Sequence, residues 1–161
     1  MKFLLLLVLA MLTGCAGLHE AIHTERVTIP GKTVDQVRSS SVAFLITQGW
    51  TLKQSDALML RFEKESPIAE QLVYNRAGAQ ATRDRLNITL LSAPSGVDLL
   101  GNLVVAYSGR GGSDQENSTD QSNARGRFVV SCVRASVLGE PIPKPPVSTN
   151  SAPVVTRGGH R

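Results

Sequence analysis

The sequence predicts an α+β protein with a single domain: an antiparallel sheet of about four to five strands and two main helices on one face. Short runs of alternating apolar and polar residues recur along the chain, and turn-rich segments join consecutive runs. Two longer stretches instead repeat apolar residues at helical spacing. Strands joined by short turns rather than by crossover helices pair antiparallel, which sets the fold class.

The first strand and the first helix have the clearest signals. The run Arg26-Val27-Thr28-Ile29 favours a strand and ends at Pro30-Gly31. Thr33 is a good N-cap, and Gln36 three positions later completes a capping-box pattern. Apolar or small residues follow at helical spacing: Val34, Val37, Ser41 and Leu45. Gly49 suits the position just past the C-terminus, so a helix is predicted between Thr33 and Gly49.

Two hairpins and a final helix complete the predicted domain. The first hairpin joins residues 50–54 to 58–63, and the second joins 86–91 to 97–107 through the turn-rich stretch 92–96. Alternation in the first hairpin predicts one inward set: Trp50, Leu52, Leu58, Leu60 and Phe62. It predicts a second set facing water: Lys53, Arg61 and Glu63.

The connections and the last helix are less regular. Ser66-Pro67 reads as the N-cap and first residue of a short helix, with Ile68 and Leu72 one turn apart. Residues 109–123 are predicted to be a polar loop. Apolar residues at helical spacing then predict the final helix: Ala124, Phe128, Cys132 and Ala135. A strand is the alternative, because Phe128-Val129-Val130 favours β structure; polar residues recurring on the opposite side favour the helix.

The chain begins with a short leader. Lys2 supplies a positive charge, and residues 3–12 are uninterruptedly apolar. This run is too short for the roughly 20 residues of a spanning helix and is typical of a secretory signal. It ends in Leu12-Thr13-Gly14-Cys15, which resembles the lipobox of bacterial lipoprotein precursors at all four positions. The structural alternative is a plain secretory signal followed by a chance cysteine.

The lipoprotein resemblance implies a cellular location and one modified residue. It implies cleavage before Cys15, diacylglycerol on the Cys15 thiol, and acylation such as palmitoylation of the new amine. Ala16 is not the aspartate that retains such proteins in the inner membrane, so the resemblance implies a bacterial outer-membrane anchor, with the domain on the periplasmic face. The predicted organisation is then a signal peptide (1–14), a lipidated tether (15–25), the domain (26–138) and a proline-rich tail (139–161).

Composition excludes some partners and leaves the second cysteine open. The chain has 17 basic and 13 acidic residues, a mild excess without a basic cluster interleaved with aromatics, so no nucleic-acid partner is expected. Once Cys15 carries lipid, Cys132 has no partner within the chain. We expect Cys132 to be a small buried residue; an intermolecular disulfide and a reactive thiol are the alternatives. Five of the eight prolines lie in residues 141–161, which predicts a disordered or polyproline-like tail.

One string could carry catalysis. His19-Glu20-Ala21-Ile22-His23 matches H-E-x-x-H, in which two histidines on a helix hold zinc and the glutamate activates water. It lies four residues after the lipobox cysteine and leads into a strand, so we expect a solvated tether and assign no metal, cofactor or catalytic residue. A zinc metallopeptidase stays the remote alternative. The glycine-rich stretch 109–113 lacks a phosphate-loop ending, and Arg83-Asp84-Arg85 is interpreted as a solvated edge.

The domain resembles the helix-grip domains of the third lipoprotein of the outer-membrane β-barrel assembly machine. The capped helix ending in residues 45–50, the hairpin through Leu60 and the terminal helix carry this resemblance. It implies a non-enzymatic, protein-binding module in envelope assembly or maintenance, with a protein partner in the envelope. The alternative is a surface or entry-exclusion lipoprotein of a mobile element or prophage.

Overall fold

The computed structural model of the chain describes residues 24–68, 71, 72, 74, 80–108 and 114–145. Within them the order of elements is strand, helix, four strands, a short strand and a helix. Their bounds are β1 (Glu25–Pro30), α1 (Val34–Thr47), β2 (Thr51–Ser55), β3 (Met59–Glu65), β4 (Gln80–Ala93), β5 (Gly96–Ser108), β6 (Asp114–Asn117) and α2 (Asp120–Leu138). The predicted α+β class is confirmed, with six strands where four to five were expected.

All strands form one antiparallel sheet in the order β1-β5-β4-β3-β2, and β6 also pairs with β5. β1 pairs with the first half of β5, from Gly96 to Gly101, and β6 pairs with its end, from Val105 to Ser108. The long hairpin of β4 and β5 therefore runs through the centre of the sheet, and the other strands are added on its two sides. Its turn is the dipeptide Pro94-Ser95.

The first helix forms where its capping residues place it. The Thr33 hydroxyl accepts a hydrogen bond from the Gln36 backbone N–H at 3.3 Å, and the Gln36 side chain accepts one from the Thr33 N–H at 3.0 Å. Val37, Ser41 and Leu45 are its buried residues, and the chain leaves the helix through Gly49 at φ +81°. The capping box satisfies two N–H groups that would otherwise lack partners in the first turn.

Both helices cover the same face of the sheet. One apolar cluster contains side chains of α1, side chains of α2 and the alternating inward residues of four strands. The inward residues of the central hairpin are Leu86, Ile88, Leu90, Val97, Leu99 and Leu103, all at most 2% exposed. Burial of this set is the main stabilisation of the domain, at roughly 25 cal/mol per Å² of apolar surface.

Two glycines let α2 approach β5 closely. A Cβ atom at Gly101 would lie 2.4 Å from Cγ2 of Val130, and one at Gly126 would lie 3.0 Å from Cβ of Leu103. Neither distance leaves room for a methyl group at normal contact, so the backbone of β5 and the side of α2 are in direct van der Waals contact.

The final helix and the last strand correct the prediction for residues 109–123. Residues 114–117, expected in a polar loop, form β6, and α2 begins at Asp120. Thr119 is the N-cap and forms a reciprocal capping box with Ser122, and Gly139 ends the helix in the left-handed conformation at φ +70°. The helix predicted from Ala124 onward is confirmed, although Ala124 itself is exposed.

Two side chains of the first hairpin differ from expectation in their exposure. Leu58 was predicted inward but is half exposed, because it belongs to the turn before β3 and its backbone carbonyl accepts a bond from the Leu90 N–H. Glu63 was predicted to face water but is buried by arginines of the neighbouring strand. Trp50, Leu60 and Phe62 are buried as predicted.

The β2 edge of the sheet is short and irregular. β2 has five residues, and its pairing with β3 shifts register between Leu52 and Gln54, which leaves Lys53 in a bulge. Within the described part of the chain, no helix is long and apolar enough to cross a membrane.

We predict that Gly101→Ala destabilises the domain by about 1–3 kcal/mol, because its methyl group must displace Val130 or the helix. Urea unfolding measures the change. Val130→Ala in the same chain removes the overlapping atoms, so the double variant should lose less stability than the sum of the single variants. Additive losses would mean that the two residues do not meet as described.

Candidate functional site

The face of the sheet opposite the helices is the candidate site, and we call it the open face. Strand alternation and register assign its members: Arg26 and Thr28 of β1, Met59, Arg61 and Glu63 of β3, Arg83, Arg85, Asn87, Thr89 and Leu91 of β4, Asp98, Leu100, Asn102, Val104 and Ala106 of β5, and Asp114 and Glu116 of β6. Among the described residues no helix packs against this face. It has a charged region, an amide row and an apolar patch.

Arg85 is the centre of the charged region. Its side chain is 13% exposed and bonds to Glu63 Oε1 through Nε at 2.9 Å and Nη2 at 2.7 Å. It also forms a hydrogen bond to Glu116 and an ion pair with Asp114 at 3.4 Å. Burial by itself would lower the pKa of Arg85, but the hydrogen bonds and charges of Glu116 and Glu63 raise that pKa above its ordinary value. The guanidinium is therefore permanently charged and fixes β6 to the sheet.

This charged region revises the interpretation of Arg83-Asp84-Arg85 as a solvated edge. Arg83 is exposed, but Arg85 is nearly buried on the open face. Asp84 points to the helix side, where it is 6% exposed and bonds to Ser66 at 2.9 Å and Arg125 at 3.0 Å. A buried carboxylate needs such partners because burial of an unpaired charge is strongly unfavourable.

An amide row crosses the middle of the open face. Arg61 Nε donates to Asn87 Oδ1 at 3.1 Å, and Asn87 Nδ2 donates to Asn102 Oδ1 at 3.2 Å. These three residues are direct cross-strand neighbours, so their side chains meet without strain. The guanidinium of Arg61 and the two side-chain amides thus form a continuous row of hydrogen bonds across three strands.

An apolar patch lies beside the amide row and consists of Met59, Leu91 and Leu100. Met59 is 38% and Leu91 41% exposed, and Leu100 is half-buried. Met59 and Leu100 both pair with Thr89, and Leu91 lies two positions further along the same face of β4. Direct and diagonal neighbours of a sheet lie about 5–8 Å apart, so the three side chains form one surface.

An ion pair borders the apolar patch on the β1 side. Asp98 accepts hydrogen bonds from the Thr28 hydroxyl at 2.7 Å and from the Arg26 guanidinium. These two donors, Thr28 first, hold the pKa of the Asp98 carboxyl below its usual range. The apolar patch therefore has a charged border on this side.

The residues proposed from the sequence as lipidation or metal sites are Cys15, His19, Glu20 and His23. All four lie outside the described residues, as does the glycine-rich stretch 109–113. In the part of the chain that is described, no group of three potential metal ligands occurs. Cys132 is free and 5% exposed, and burial raises the pKa of its thiol, so it is a buried small residue as predicted.

Sequence reasoning did not identify the open-face network. Glu63 and Arg85 are 22 positions apart and meet only through the register of β3 and β4. The alternation of residues along β4 was a usable signal, since Arg83, Arg85, Asn87 and Thr89 all fall on one side.

No protein-family model matches the chain, and no curated protein matches it.

We predict that Thr28→Val raises the pKa of Asp98 toward its ordinary value. Valine has nearly the shape of threonine but lacks the hydroxyl that donates a hydrogen bond to the Asp98 carboxylate. An NMR titration of the Asp98 carboxyl measures the shift, and an unchanged pKa would show that the hydroxyl does not stabilise the carboxylate.

The pKa of Asp98 is lower in the folded state than in the unfolded state. The contribution of Asp98 to stability is therefore present above the unfolded pKa of about 3.9 and is lost as the pH falls through the folded pKa. Asp98→Asn should therefore lower the urea midpoint at pH 7, with the difference shrinking in acid.

Proposed function

We propose that the chain is a bacterial envelope lipoprotein, anchored to the outer membrane through Cys15, whose α+β domain is a non-enzymatic module that binds another envelope protein. The observation that carries the proposal is the string Leu12-Thr13-Gly14-Cys15 at the end of a ten-residue apolar run. The leader is too short to span a bilayer, and the cysteine stands where the lipoprotein pattern needs it.

The chemistry of the anchor is sufficient for stable attachment. Each buried methylene contributes roughly 0.8 kcal/mol, so one acyl chain gives reversible binding and two or three give a permanent one. Cleavage of the 161-residue chain before Cys15 leaves 147 residues. The first strand begins ten positions after this cysteine. Ten residues span at most about 35 Å, so the partner of the domain would lie close to the membrane.

The open face supports the protein-binding part of the proposal. No helix of the described residues covers this face, and Met59 and Leu91 are exposed there beside fixed charges. Burial of these side chains against a partner would be favourable, and the surrounding charged groups would select the partner by complementarity.

We predict that the chain incorporates labelled palmitate when it is produced in a Gram-negative host, and that Cys15→Ala abolishes the label. Cys132→Ala is the matched control and should keep it, because that thiol is buried in the folded domain. The intact mass of the purified protein should correspond to residues 15–161 plus lipid. A Cys15 thiol without lipid, or a retained leader, contradicts the anchor.

We predict that a photocrosslinking amino acid at Leu91 yields a discrete covalent adduct with one envelope protein in intact cells. Ile46 on α1 is the matched control, because it is similarly exposed but lies outside the open face. Adducts from both positions alike, or from Ile46 alone, would exclude the open face as the binding surface.

A further inference from the structure

The outer side of β5 has a gap between its two partner strands, and we call it the edge gap. β1 pairs with β5 as far as Gly101, and β6 pairs with it from Val105 onward. Residues 102–104 of β5 therefore face no strand of the described residues on this side, although β4 pairs with them on the other. The edge gap interrupts a row of backbone hydrogen bonds that is otherwise continuous along β5.

One residue directs its backbone polar groups into the edge gap. The Gly31 N–H donates to the Ser95 carbonyl at 3.1 Å, one step beyond the last pair of β1 and β5. Hydrogen-bonded pairs of an antiparallel ladder recur at every second residue, so the odd-numbered residues of β5 bond towards the β1 side. Pro30, which has no N–H, occupies one of the alternate positions, as this phase requires. Leu103 is the odd-numbered residue of the gap, so its N–H and C=O point into it.

Leu103 is almost completely buried. It is 2% exposed, and Gly126 of α2 lies against it from the helix side, where an added Cβ atom would be 3.4 Å from the Leu103 nitrogen. Among the described residues neither its N–H nor its C=O has a backbone partner. Buried backbone groups are nearly always paired, because an unpaired one loses its hydration without replacement. The unfilled side is the sheet edge, so the partner of Leu103 is expected there.

The tether reaches the sheet at this gap. The chain runs into β1 through Ile22, His23 and Thr24, of which only Thr24 is among the described residues. The first residue of β1 lies opposite Gly101, so the same antiparallel register continued two positions back puts His23 opposite Leu103. This is a hydrogen-bonded position, at which two residues exchange both of their N–H···O=C bonds.

The strand β6 limits how far the tether can continue along β5. Asn117 already pairs with Val105, so Ala21, which the same register would place there, has to leave the sheet. The space holds three residues of chain. Residues 22–24 therefore match the edge gap in direction, register and length.

We propose that residues 22–24 extend β1 into the edge gap, with the backbone of His23 paired to that of Leu103. Cys15 then lies seven positions before the sheet instead of ten, and the free tether spans at most about 25 Å. The string from His19 to His23 does not form one helix, so its two histidines share no helical face. This inference goes beyond the protein-binding function of the open face, and it does not depend on whether Cys15 carries lipid.

The test uses the full-length protein, isotope-labelled and purified in detergent micelles, with its lipid state measured separately by intact mass. Amide exchange followed by NMR should be slow at the N–H groups of both His23 and Leu103. A nuclear Overhauser contact should join Hα of Thr24 to Hα of Asn102, because the Cα atoms of such a non-hydrogen-bonded pair lie about 4.5 Å apart. Absence of this contact would overturn the proposal. Slow exchange at Leu103 beside fast exchange at His23 would also overturn it, because another group would then be the partner.

Two proline variants isolate the backbone contact. His23→Pro removes the N–H that pairs with the Leu103 carbonyl and should raise the exchange rate of the Leu103 amide about fivefold, the factor for one backbone hydrogen bond. Thr24→Pro is the matched control and should leave that rate unchanged, because its N–H faces away from β5, as the position of Pro30 does. Exchange at Leu99, which pairs with β1 further along, should stay slow in both variants and shows that they fold.

His23→Ala separates the backbone of this residue from its imidazole. It keeps the N–H and C=O groups and should leave the exchange rate of Leu103 unchanged. An effect as large as that of His23→Pro would overturn the proposal, since the side chain would then be the partner. Equal effects of His23→Pro and Thr24→Pro would overturn it as well, because the phase of the pairing would be wrong.

Discussion

The close approach of α2 to β5 sets how closely the helices pack on the sheet. Gly101 on the strand and Gly126 on the helix each remove a side chain where the other element lies, so the helix axis comes nearer to the sheet than larger residues would allow. Val130, Val133 and Val137 are then held within the same cluster as the inward leucines of the central hairpin. The second helix packs beside the first on the same face of the sheet.

The sheet keeps two chemically different faces through its register. The inward residues of β4 and β5 are mostly aliphatic, with Asp84 among the exceptions, whereas the outward residues of β4 include two arginines and an asparagine. Arg85 nevertheless lies almost out of water, and its carboxylate partners come from β3 and β6. Removal of one of these carboxylates would leave a buried charge with fewer partners, which is more costly than the loss of an exposed ion pair.

Local signals were sufficient for the parts of the fold that local interactions determine. Thr33 and Gln36 define α1 because both halves of a capping box lie within four residues, and the alternation around Leu60 and Phe62 defines β3. β6 has no such signal, since Asp114–Asn117 is entirely polar and its pairing depends on Arg85, about 30 positions earlier. Thr119 was missed as an N-cap because the residue three positions on is Ser122 rather than glutamate or glutamine. The burial of Glu63 also has no local signal, because its partner Arg85 lies 22 positions later in the chain.

The bulge of β2 affects how readily the sheet edges of neighbouring molecules can pair. Molecules tethered to a membrane diffuse in two dimensions and collide more often than the same number in solution, and an unpaired sheet edge is the usual place for strands of neighbouring molecules to join. Here that edge is five residues long, is interrupted between Leu52 and Gln54, and carries at the bulge a lysine whose charge repels its own copy. If the domains are held on a membrane as proposed, the β2 edge therefore disfavours their growth into continuous sheets.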